Sequence, residues 1–398
     1  MKSPKYLDFL LIIVIASILF AANQFLFHGT IESIDSLGQE LQSSPEQLYN
    51  WELSKKAPFK YRVVFPLLVK ETHSFCMKIG WLSVSDFYFA YLFFSWFSIV
   101  LASLGLLLLL KEVFKQRKLA YFGMAAYFIS VPFMFAYTVP VHTREDFLAF
   151  AFFHWGLWAI LRKHELLFVV IAVLGVLTRE TLMLLPFIRL FFGFGHIPRR
   201  MLVSTVPLIS WLVLRWYLGG GEYDRWLGFS WNIVNFDQVV VFGYLSFSFL
   251  WIPAILAYQR RLTRFFIRQQ AFKIFGLQAF LSSLFLVITT TFVFGIFNEI
   301  RLLFLLAPFM ITYALAYYQQ NRIALINFLL LRRSKLLMAL LFTVVAVISF
   351  YSVEITQLMF PDNEYGIAYP QWLVVLSIYF LPSLFLIFFE INRKKQIL

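Results

Sequence analysis

The sequence predicts an all-α, polytopic integral membrane protein with about 10 to 13 transmembrane helices in one membrane domain, residues 1–398. Two observations support this fold class. Hydrophobic residues make up 61% of the chain and charged residues only 14%, whereas about a quarter of the residues in a soluble domain are charged. The apolar residues also form blocks of about 17 to 24, close to the roughly 20 that one helix needs to cross a bilayer. The composition therefore argues against a water-soluble fold.

Twelve apolar blocks are candidate spans. The first follows Lys2 and Lys5 as a signal sequence would, but it is longer than a signal core, so we expect it to be retained as the first span. The fifth and sixth blocks are too short to cross alone, which predicts half-helices or tilted, broken segments. The blocks lie near residues 7–27, 87–110, 119–139, 146–161, 166–177, 182–194, 201–218, 238–258, 274–296, 302–318, 336–357 and 371–389.

The basic residues predict the orientation, because lysine and arginine concentrate in short cytoplasmic loops. With the N-terminus inside, 23 of the 34 lysines and arginines fall on the cytoplasmic side. Both chain termini are then cytoplasmic, and the extracytoplasmic loops are 28–86, 219–237 and 358–370. The long first loop contains the segment Tyr61–Trp81, where apolar clusters alternate with charged residues, as expected of an interfacial helix.

The net charge of +13 bears on the expected partners. The basic residues punctuate the apolar blocks and form no stripe, and no nucleic-acid-binding motif lies between the spans, so nucleic acid is not an expected partner. Anionic membrane lipid is the expected counter-charge. The single cysteine, Cys76, excludes an internal disulfide and a cysteine-based metal site. A lone histidine in the fourth block, His154, is expected to hydrogen-bond to a neighbouring helix rather than to bind a metal.

Three polar clusters interrupt the apolar pattern, and all three fall at predicted extracytoplasmic turns. An ionisable residue deep in hydrocarbon costs several kcal/mol, so such residues are usually paired or functional. Each cluster alone could be an arginine and a glutamate that pair and cap two helix ends. Because the three share one side of the membrane, a common polar site that faces outward is the better interpretation. The clusters are His142–Asp146, Thr178–Thr181 and Asn298–Arg301, to which Arg62 in the first loop is added.

Carboxylates and guanidiniums at one site indicate a particular kind of chemistry. A carboxylate can act as a general base or hold a divalent ion, and a guanidinium suits bidentate contact with phosphate. The sequence has no Ser-His-Asp spacing, nucleophile elbow, phosphate-cradling glycine loop or HExxH motif. These features predict transfer from a phosphate-linked donor whose phosphate is carried by a membrane lipid.

Several short motifs and their order indicate a family resemblance. One span precedes a long first external loop, in which Pro58-Phe59-Lys60-Tyr61-Arg62 leads to Pro66, and many spans with short loops follow. Asp146 opens the fourth span, and the other motifs are Thr178-Arg179-Glu180-Thr181 and Glu299-Ile300-Arg301 followed by Pro308. Over most of its first 320 residues the chain resembles bacterial members of the GT-C superfamily of polytopic glycosyltransferases, which use polyprenyl-phosphate-linked sugars at the extracytoplasmic face.

The resemblance implies roles for the candidate site residues. In that family an acid in the first loop is the catalytic base, and the candidates here are Asp35, then Glu32. Asp146 or its neighbour Glu145 matches the acid that helps to hold the donor phosphate or a metal. The implied phosphate contacts are Arg62, Arg179, Arg144 and Arg301, and the implied supporting residues are Tyr61, Glu299 and Glu180, which would orient Arg179 or a partner. A divalent cation, Mg²⁺ or Mn²⁺, stays open as a cofactor, with Asp35 and Asp146 as its candidate ligands.

The resemblance also implies an activity, a location and partners. The expected activity is transfer of a sugar from a polyprenyl-phosphate donor to an extracytoplasmic glycan, lipid or protein acceptor, in a bacterial inner (plasma) membrane and in cell-envelope polysaccharide biosynthesis. Three alternatives stay open: a transporter or flippase of polyprenyl-linked glycans, a polysaccharide polymerase or ligase, and a non-enzymatic assembly subunit. A transporter would favour charges near the bilayer midplane and a repeat between two halves, and the sequence shows neither.

Overall fold

A computed structural model of the protein describes residues 5–26, 62–81, 87–135, 140–219, 227–234, 236–262, 266–294, 303–354 and 369–395. Within these ranges the chain is helical, and the β-bridge between Phe114 and Ile267 belongs to no strand. The predicted all-α fold is confirmed for this part of the chain. The helices are α1 (Lys5–Leu26), α2 (Val64–Lys78), α3 (Phe87–Val113), α4 (Arg117–Phe128), α5 (Val131–Phe135), α6 (Pro140–Arg162), α7 (Glu165–Thr178), α8 (Leu184–Phe192), α9 (Ile197–Tyr217), α10 (Leu227–Val234), α11 (Phe236–Leu245), α12 (Trp251–Gln259), α13 (Phe272–Phe275), α14 (Leu277–Phe294), α15 (Ala307–Leu330), α16 (Arg332–Phe350) and α17 (Tyr369–Lys395).

Four of the described helices are long and apolar enough to cross a membrane. The pair Val239–Leu245 and Ser248–Gln259 adds a fifth span if it counts as one element, although its two parts meet at 76°. These helices indicate a membrane protein. The four are Leu92–Val113, Ile197–Tyr217, Arg332–Phe350 and Leu373–Arg393, and shorter apolar helices lie at Tyr6–Ala22, Glu165–Thr178 and Leu277–Val293.

Helix α6 packs against α3 along much of its length. His154 Nδ1 of α6 lies 2.9 Å from the carbonyl oxygen of Ala102, and the Trp155 indole donates to the carbonyl oxygen of Leu101 at 3.0 Å. The bond of His154 to a neighbouring helix is the one predicted from the sequence. On α3, a Cβ at Gly105 would lie 2.6 Å from Cδ1 of Trp155. The glycine therefore allows α3 and α6 to approach closely, which fixes α6 in the bundle.

Ion pairs gather the ends of several helices at one end of the bundle, called here the basic end. Asp8 near the start of α1 pairs with Lys111 and Arg117, where α3 ends and α4 begins. The sequence predicts that these basic residues and the others at this end lie in cytoplasmic segments, and the side of the membrane that this end faces stays a prediction. The further pairs are Glu112 with Arg162 and Arg268, Glu165 with Arg189 and Arg199, and Glu390 with Arg260 and Arg393.

Helices α7 and α8 form a hairpin that starts and ends at the basic end. Helix α7 begins at Glu165, and Nη2 of Arg189, near the end of α8, lies 2.9 Å from Oε1 of Glu165. Helix α9 also begins here, because Arg199 Nε lies 2.6 Å from Glu165 Oε2, and it packs against α7. At about 1.5 Å per residue, the hairpin turn at Arg179 is about 21 Å from Glu165. The two short apolar blocks of the sequence are thus the arms of a broken element, as predicted.

Helix α6 begins earlier than the sequence predicts. A turn was expected at His142–Asp146, with a span from residue 146, but α6 begins at Pro140. Proline suits the first helical position because its missing N–H would have no helical partner there. Glu145 and Asp146 therefore lie inside the helix, and Asp146 is about 24 Å from Arg162 at the basic end, again at about 1.5 Å per residue.

Two predicted spans are interrupted. The third, 119–139, divides into α4 and α5, because Pro132 has no N–H and its ring crowds the preceding turn. The eighth, 238–258, bends by 76° between α11 and α12. Ser248 at this bend has the left-handed φ of +42°, which a continuous α-helix does not allow.

The tenth predicted span, 302–318, is part of a longer helix. Helix α15 continues through the polar residues Gln319–Arg322 to Leu330. The predicted span ended at residue 318, before these polar residues. No glycine or proline occurs between Phe309 and Leu331, so the local sequence gives the helix no reason to end.

The predicted loops contain helices where the structure describes them. In the first loop, 28–86, helix α2 confirms the helix expected in Tyr61–Trp81 and buries Phe65, Val69 and Cys76 on one side. The second loop, 219–237, contains α10, whose Asn232 donates to the carbonyl oxygen of Phe292 in α14 at 2.8 Å. Most of the third loop, 358–370, lies outside the described residues.

Candidate functional site

Five charged residues from three separate parts of the sequence meet about 21 to 24 Å from the basic end, at about 1.5 Å of helix per residue. They come from the start of α2, from α6 and from the turn between α7 and α8. They are called here the charge cluster, and they are Arg62, Glu145, Asp146, Arg179 and Glu180.

Arg62 links the first loop to α6 and to the α7–α8 turn. Its Nη1 donates to Glu145 Oε1 at 2.7 Å, and its Nη2 donates to Glu180 Oε1 at 3.3 Å. One residue later, the Val63 N–H donates to the carbonyl oxygen of Leu177, near the end of α7, at 3.1 Å. The start of α2 is therefore held against both α6 and α7.

Asp146 and Arg179 form a second ion pair that is more deeply buried than the first. The Asp146 side chain is 0% exposed and that of Arg179 is 4% exposed, whereas Glu180 is 25% exposed. Consecutive residues on an α-helix point about 100° apart, which explains why Glu145 and Asp146 pair with different arginines. The charge cluster thus has a sealed inner pair and a more open outer group, Glu145, Arg62 and Glu180.

The turn that carries Arg179 follows from the local sequence. Helix α7 ends at Thr178, whose hydroxyl donates to a carbonyl oxygen of the preceding helical turn at 2.8 Å. Arg179 is extended, with φ −157° and ψ 131°, and Glu180–Met183 form a 3₁₀ turn. Gly175 leaves room for this turn, because a Cβ there would lie 2.9 Å from Cδ1 of Leu182. The break therefore packs back onto α7 and directs two charged side chains into the cluster.

Apolar side chains next to these residues in sequence pack together. Val64, Phe65 and Val69 of α2 form a buried group with Ala90 of α3 and Leu148 of α6. Surroundings of low dielectric strengthen an ion pair and also raise the cost of leaving either charge unpaired. Phe94, Phe152 and Leu177 pack against this group.

Arg62 stays charged in this setting. Burial alone would lower the pKa of Arg62, but the carboxylates of Glu180 and Glu145 outweigh burial and raise it. A raised folded-state pKa means that the stabilisation is fully present below the unfolded pKa of arginine and is lost only as the pH rises through the folded value. Arg62 is therefore expected to keep its charge up to strongly alkaline pH.

The structure brings together five of the predicted site residues and shows which carboxylate pairs with which arginine. Glu180 bonds to Arg62, while Arg179 pairs with Asp146, and the role of Glu180 in orienting Arg179 or a partner stays a prediction. The side chain of Arg144 is not among those described. The predicted residues Asp35, Glu32, Tyr61, Glu299 and Arg301 also lie outside the described residues.

A metal site stays a prediction. Among the described residues, no group of three or more histidine, cysteine, aspartate or glutamate side chains is arranged to hold a metal ion. The three carboxylates of the charge cluster are bonded to or paired with arginine instead. The proposed cation ligand Asp35 lies outside the described ranges, so the Asp35 and Asp146 pair is not tested.

Sequence reasoning did not single out Arg215 of α9. The guanidinium carbon of Arg215 lies 4.0 Å from the centre of the Trp211 ring. The spacing of Trp211 and Arg215 along the helix places them on the same side of α9 as the buried residues Val203, Ser204 and Pro207. The signal was present in the sequence as an arginine near the end of a long apolar block, four residues after a tryptophan.

The charge cluster combines two chemical capabilities. Its carboxylates are potential proton acceptors, and its guanidiniums can hold an anion. With three carboxylates and two guanidiniums, it carries one net negative charge. A phosphate that approaches Arg62 must therefore share that guanidinium with Glu145 and Glu180.

Comparisons with protein-family models, with curated proteins and with solved structures found no match to this chain.

Proposed function

We propose that the protein is a GT-C-type membrane glycosyltransferase, which transfers a sugar from a polyprenyl-phosphate-linked donor to an extracytoplasmic glycan, lipid or protein acceptor. The observation that carries the proposal is the charge cluster, in which Arg62 bonds to residues 83 and 118 positions away in the sequence. Ionised groups in an apolar bundle are costly and usually occur where they pair or function. Carboxylates beside guanidiniums suit acid–base chemistry on a phosphate-linked substrate.

In this proposal the basic end faces the cytoplasm, as basic residues of short loops do. The charge cluster is about 21 to 24 Å away along the helices, and the hydrocarbon core is about 30 Å thick. The cluster then lies just below the outer headgroups, where a lipid phosphate can reach it while the polyprenyl chain stays in the bilayer. Both termini are cytoplasmic, and the membrane is a bacterial inner membrane.

The total of about 10 to 13 spans is part of the same proposal. It counts the four long helices, the bent pair α11 and α12, the three shorter apolar helices, which include α7, and α8 as the second arm of the hairpin. It also counts α6, α15 and the divided block of α4 and α5. The hairpin leaves and rejoins the basic end, so it does not change the side on which later segments lie. Helix α2 would rest at the outer interface, with Leu67, Phe75 and Trp81 exposed towards lipid.

The proposed reaction moves the sugar without a change in oxidation state. A carboxylate takes the proton of the acceptor hydroxyl, and the oxygen of that hydroxyl attacks the anomeric carbon. The bond from this carbon to the phosphate oxygen breaks, and the phosphate leaves on its lipid. We assign the role of proton acceptor to Asp35 or Glu32, as the family resemblance implies, or to Glu180, whose side chain is partly exposed. Arg62 would contact the leaving phosphate, and the Asp146–Arg179 pair would position the turn that carries Glu180.

One observation favours a second candidate, movement of a polyprenyl-linked glycan across the membrane. The α7–α8 hairpin is a discontinuous element with charged residues at its break, and transporters place substrate sites at such breaks. A transporter would need the cluster to open alternately to each side, whereas a transferase needs it open to the outer side only.

The test of the proposed function is transfer of labelled sugar from a panel of polyprenyl-phosphate donors by the purified full-length protein. We expect turnover by the wild type and a loss of about 100-fold or more in Asp146→Asn and in Arg62→Ala, compared at equal amounts of folded protein. Glu71→Gln, on the exposed side of α2, is the control and should keep its turnover. No turnover with any donor, together with donor-dependent movement of lipid-linked glycan between leaflets, would overturn the transferase in favour of the transporter.

A further inference from the structure

Two lysines from separate parts of the sequence lie against one phenylalanine ring at the basic end. Nζ of Lys163, which follows α6, is 5.5 Å from the centre of the Phe194 ring, and Nζ of Lys273 in α13 is 5.6 Å from the same centre. Both distances are within the range of a cation–π contact. Both lysines are exposed. Because like charges repel, the shared ring brings together two ammonium groups that would otherwise separate.

Phe194 is held in a defined position by the turn between α8 and α9. Arg189 Nη1 donates to the carbonyl oxygen of Phe194 at 2.5 Å. A Cβ at Gly193 would collide with the carbonyl oxygen of Arg189, and Gly195 has a left-handed φ of +89°, which residues with a Cβ rarely adopt. The local sequence Gly193-Phe194-Gly195 therefore fixes the backbone that presents the ring to both lysines.

Lys163 has a backbone conformation that is unusual for a residue with a side chain. Its φ is +60°, and the N–H groups of Lys163 and His164 donate to the carbonyl oxygens of Ile160 and Ala159. This pair of bonds is the Schellman motif, whose left-handed position is usually glycine. A Cβ makes this conformation less favourable. The end of α6 therefore does not require the lysine side chain, which leaves room for a role in binding.

Two carboxylates lie near these lysines, and both are shared by pairs of arginines. Among the described residues, neither Lys163 nor Lys273 forms an ion pair with a carboxylate. The two lysines therefore add to a local excess of positive charge, which attracts an anion. The shared carboxylates are Glu112, with Arg162 and Arg268, and Glu165, with Arg189 and Arg199.

Exposed apolar side chains lead away from this end along α7 and α14. Helix α7 begins two residues after Lys163, and α14 begins four residues after Lys273. Each helix has three large apolar residues exposed at intervals of four, and such residues share one side of a helix. Both sides suit contact with lipid chains, which places the lysines at the level of the headgroups. The residues are Leu166, Val170 and Leu174 of α7, and Leu277, Leu281 and Phe285 of α14.

We propose that Lys163, Lys273 and Phe194 form a binding site for the headgroup of an anionic phospholipid. The two ammonium groups hold the lipid phosphate, and the ring keeps them close enough to act together. A zwitterionic headgroup brings a cation of its own to this position, so the site prefers a headgroup with a net negative charge. The site lies at the opposite end of α6 and α7 from the charge cluster, and it does not depend on the proposed function.

The experiment titrates the purified full-length protein in detergent with short-chain phosphatidylglycerol, and native mass spectrometry counts the bound lipid. We expect Lys163→Gly to weaken binding by about five- to tenfold, because it removes one ammonium group. The same variant should unfold at the wild-type temperature or above it, because glycine suits the left-handed position. Lys273→Gln should weaken binding by a similar factor, and Phe194→Leu by about two- to threefold.

Arg261→Gly is the matched control. Arg261 follows α12 at the basic end with a φ of +52°, and the N–H groups of Arg261 and Leu262 make the same pair of Schellman bonds. Among the described residues, no hydrogen bond, ion pair or ring contact joins Arg261 to Phe194 or to either lysine. The control removes one positive charge and relieves the same backbone conformation, so its binding should stay within about twofold of the wild type.

Parallel titrations identify the ligand. Phosphatidylcholine with the same chains tests the need for net negative charge, and dissolved inorganic phosphate, added as a competitor, tests for a site that takes any free anion. The proposal is overturned by equal binding of phosphatidylcholine, by displacement of the lipid by inorganic phosphate at the lipid's own concentration, or by an equal loss in Arg261→Gly. Wild-type binding by a folded Lys163→Gly or Lys273→Gln protein would also overturn it, and either variant decides the matter if the other does not fold.

Discussion

Asp146→Asn is expected to lower the free energy of unfolding by about 3 to 5 kcal/mol, the usual cost of breaking a buried ion pair by removing one partner. Asp146 is fully buried and Arg179 is 4% exposed, so the substitution leaves a guanidinium charge in an apolar setting without its carboxylate. Unfolding by denaturant or heat in detergent measures the change. Glu354→Gln, at an exposed position, is the control and should change stability by less than about 0.5 kcal/mol.

Removal of both charges should reverse most of that loss. Replacement of a buried ion pair by apolar residues of similar size is often neutral or stabilising, so Asp146→Leu combined with Arg179→Met should unfold within about 1 kcal/mol of the wild type. A double variant as unstable as Asp146→Asn would contradict the argument, because the loss would then come from packing and not from the unpaired charge.

Arg62→Ala is expected to loosen α2 and to make its cysteine reactive. Among the described contacts, hydrogen bonds of the Arg62 side chain and of the Val63 backbone N–H hold the start of α2 to α6 and α7. Cys76 is buried on the same helix. The chain has one cysteine, so a maleimide reports on this helix alone. We expect labelling to become about tenfold faster or more, because local opening that costs about 1.4 kcal/mol less exposes the thiol ten times as often.

Two variants make the labelling experiment specific. Arg62→Lys keeps the charge but cannot bond to Glu145 and Glu180 through a planar fork, so its labelling rate should lie between those of the wild type and Arg62→Ala. Glu71→Gln, on the exposed side of α2, should label at the wild-type rate. Equal labelling of Arg62→Ala and the wild type would mean that other contacts hold α2. Since the pKa of Arg62 is raised, the difference between Arg62→Ala and the wild type should persist up to strongly alkaline pH.

The sequence predicts the polar residues of the charge cluster because charges are rare in its apolar blocks. Arg179 and Glu180 stand between two blocks with no loop around them, and Glu145 and Asp146 begin another. The positive-inside distribution places both groups on one side, which is enough to predict that they meet. In the same way, a lone histidine in an apolar block, His154, predicts a bond to a neighbouring helix, and the structure has it.

The partners of each charge could not be predicted, because they depend on helix phase and packing. Glu145 and Asp146 are adjacent in sequence and pair with different arginines, which follows only once α6 is known to begin at Pro140. Pro132 ends α4 within an apolar block that the sequence predicts as one continuous span. Helix α15 continues through polar residues that lie beyond the end of the predicted span.

The central claim, that the charge cluster is a functional site and not only a set of structural ion pairs, is tested most directly by Glu180→Gln. Glu180 is 25% exposed and makes a 3.3 Å bond to Arg62, so the substitution should cost no more than about 1 kcal/mol of stability. We predict that the folded variant loses sugar transfer from a polyprenyl-phosphate donor by about 100-fold or more, because Glu180 either accepts the proton itself or orients Arg62, which contacts the leaving phosphate. Wild-type transfer by a folded Glu180→Gln protein, at a temperature where both proteins are native, would contradict the claim and leave the cluster a structural role.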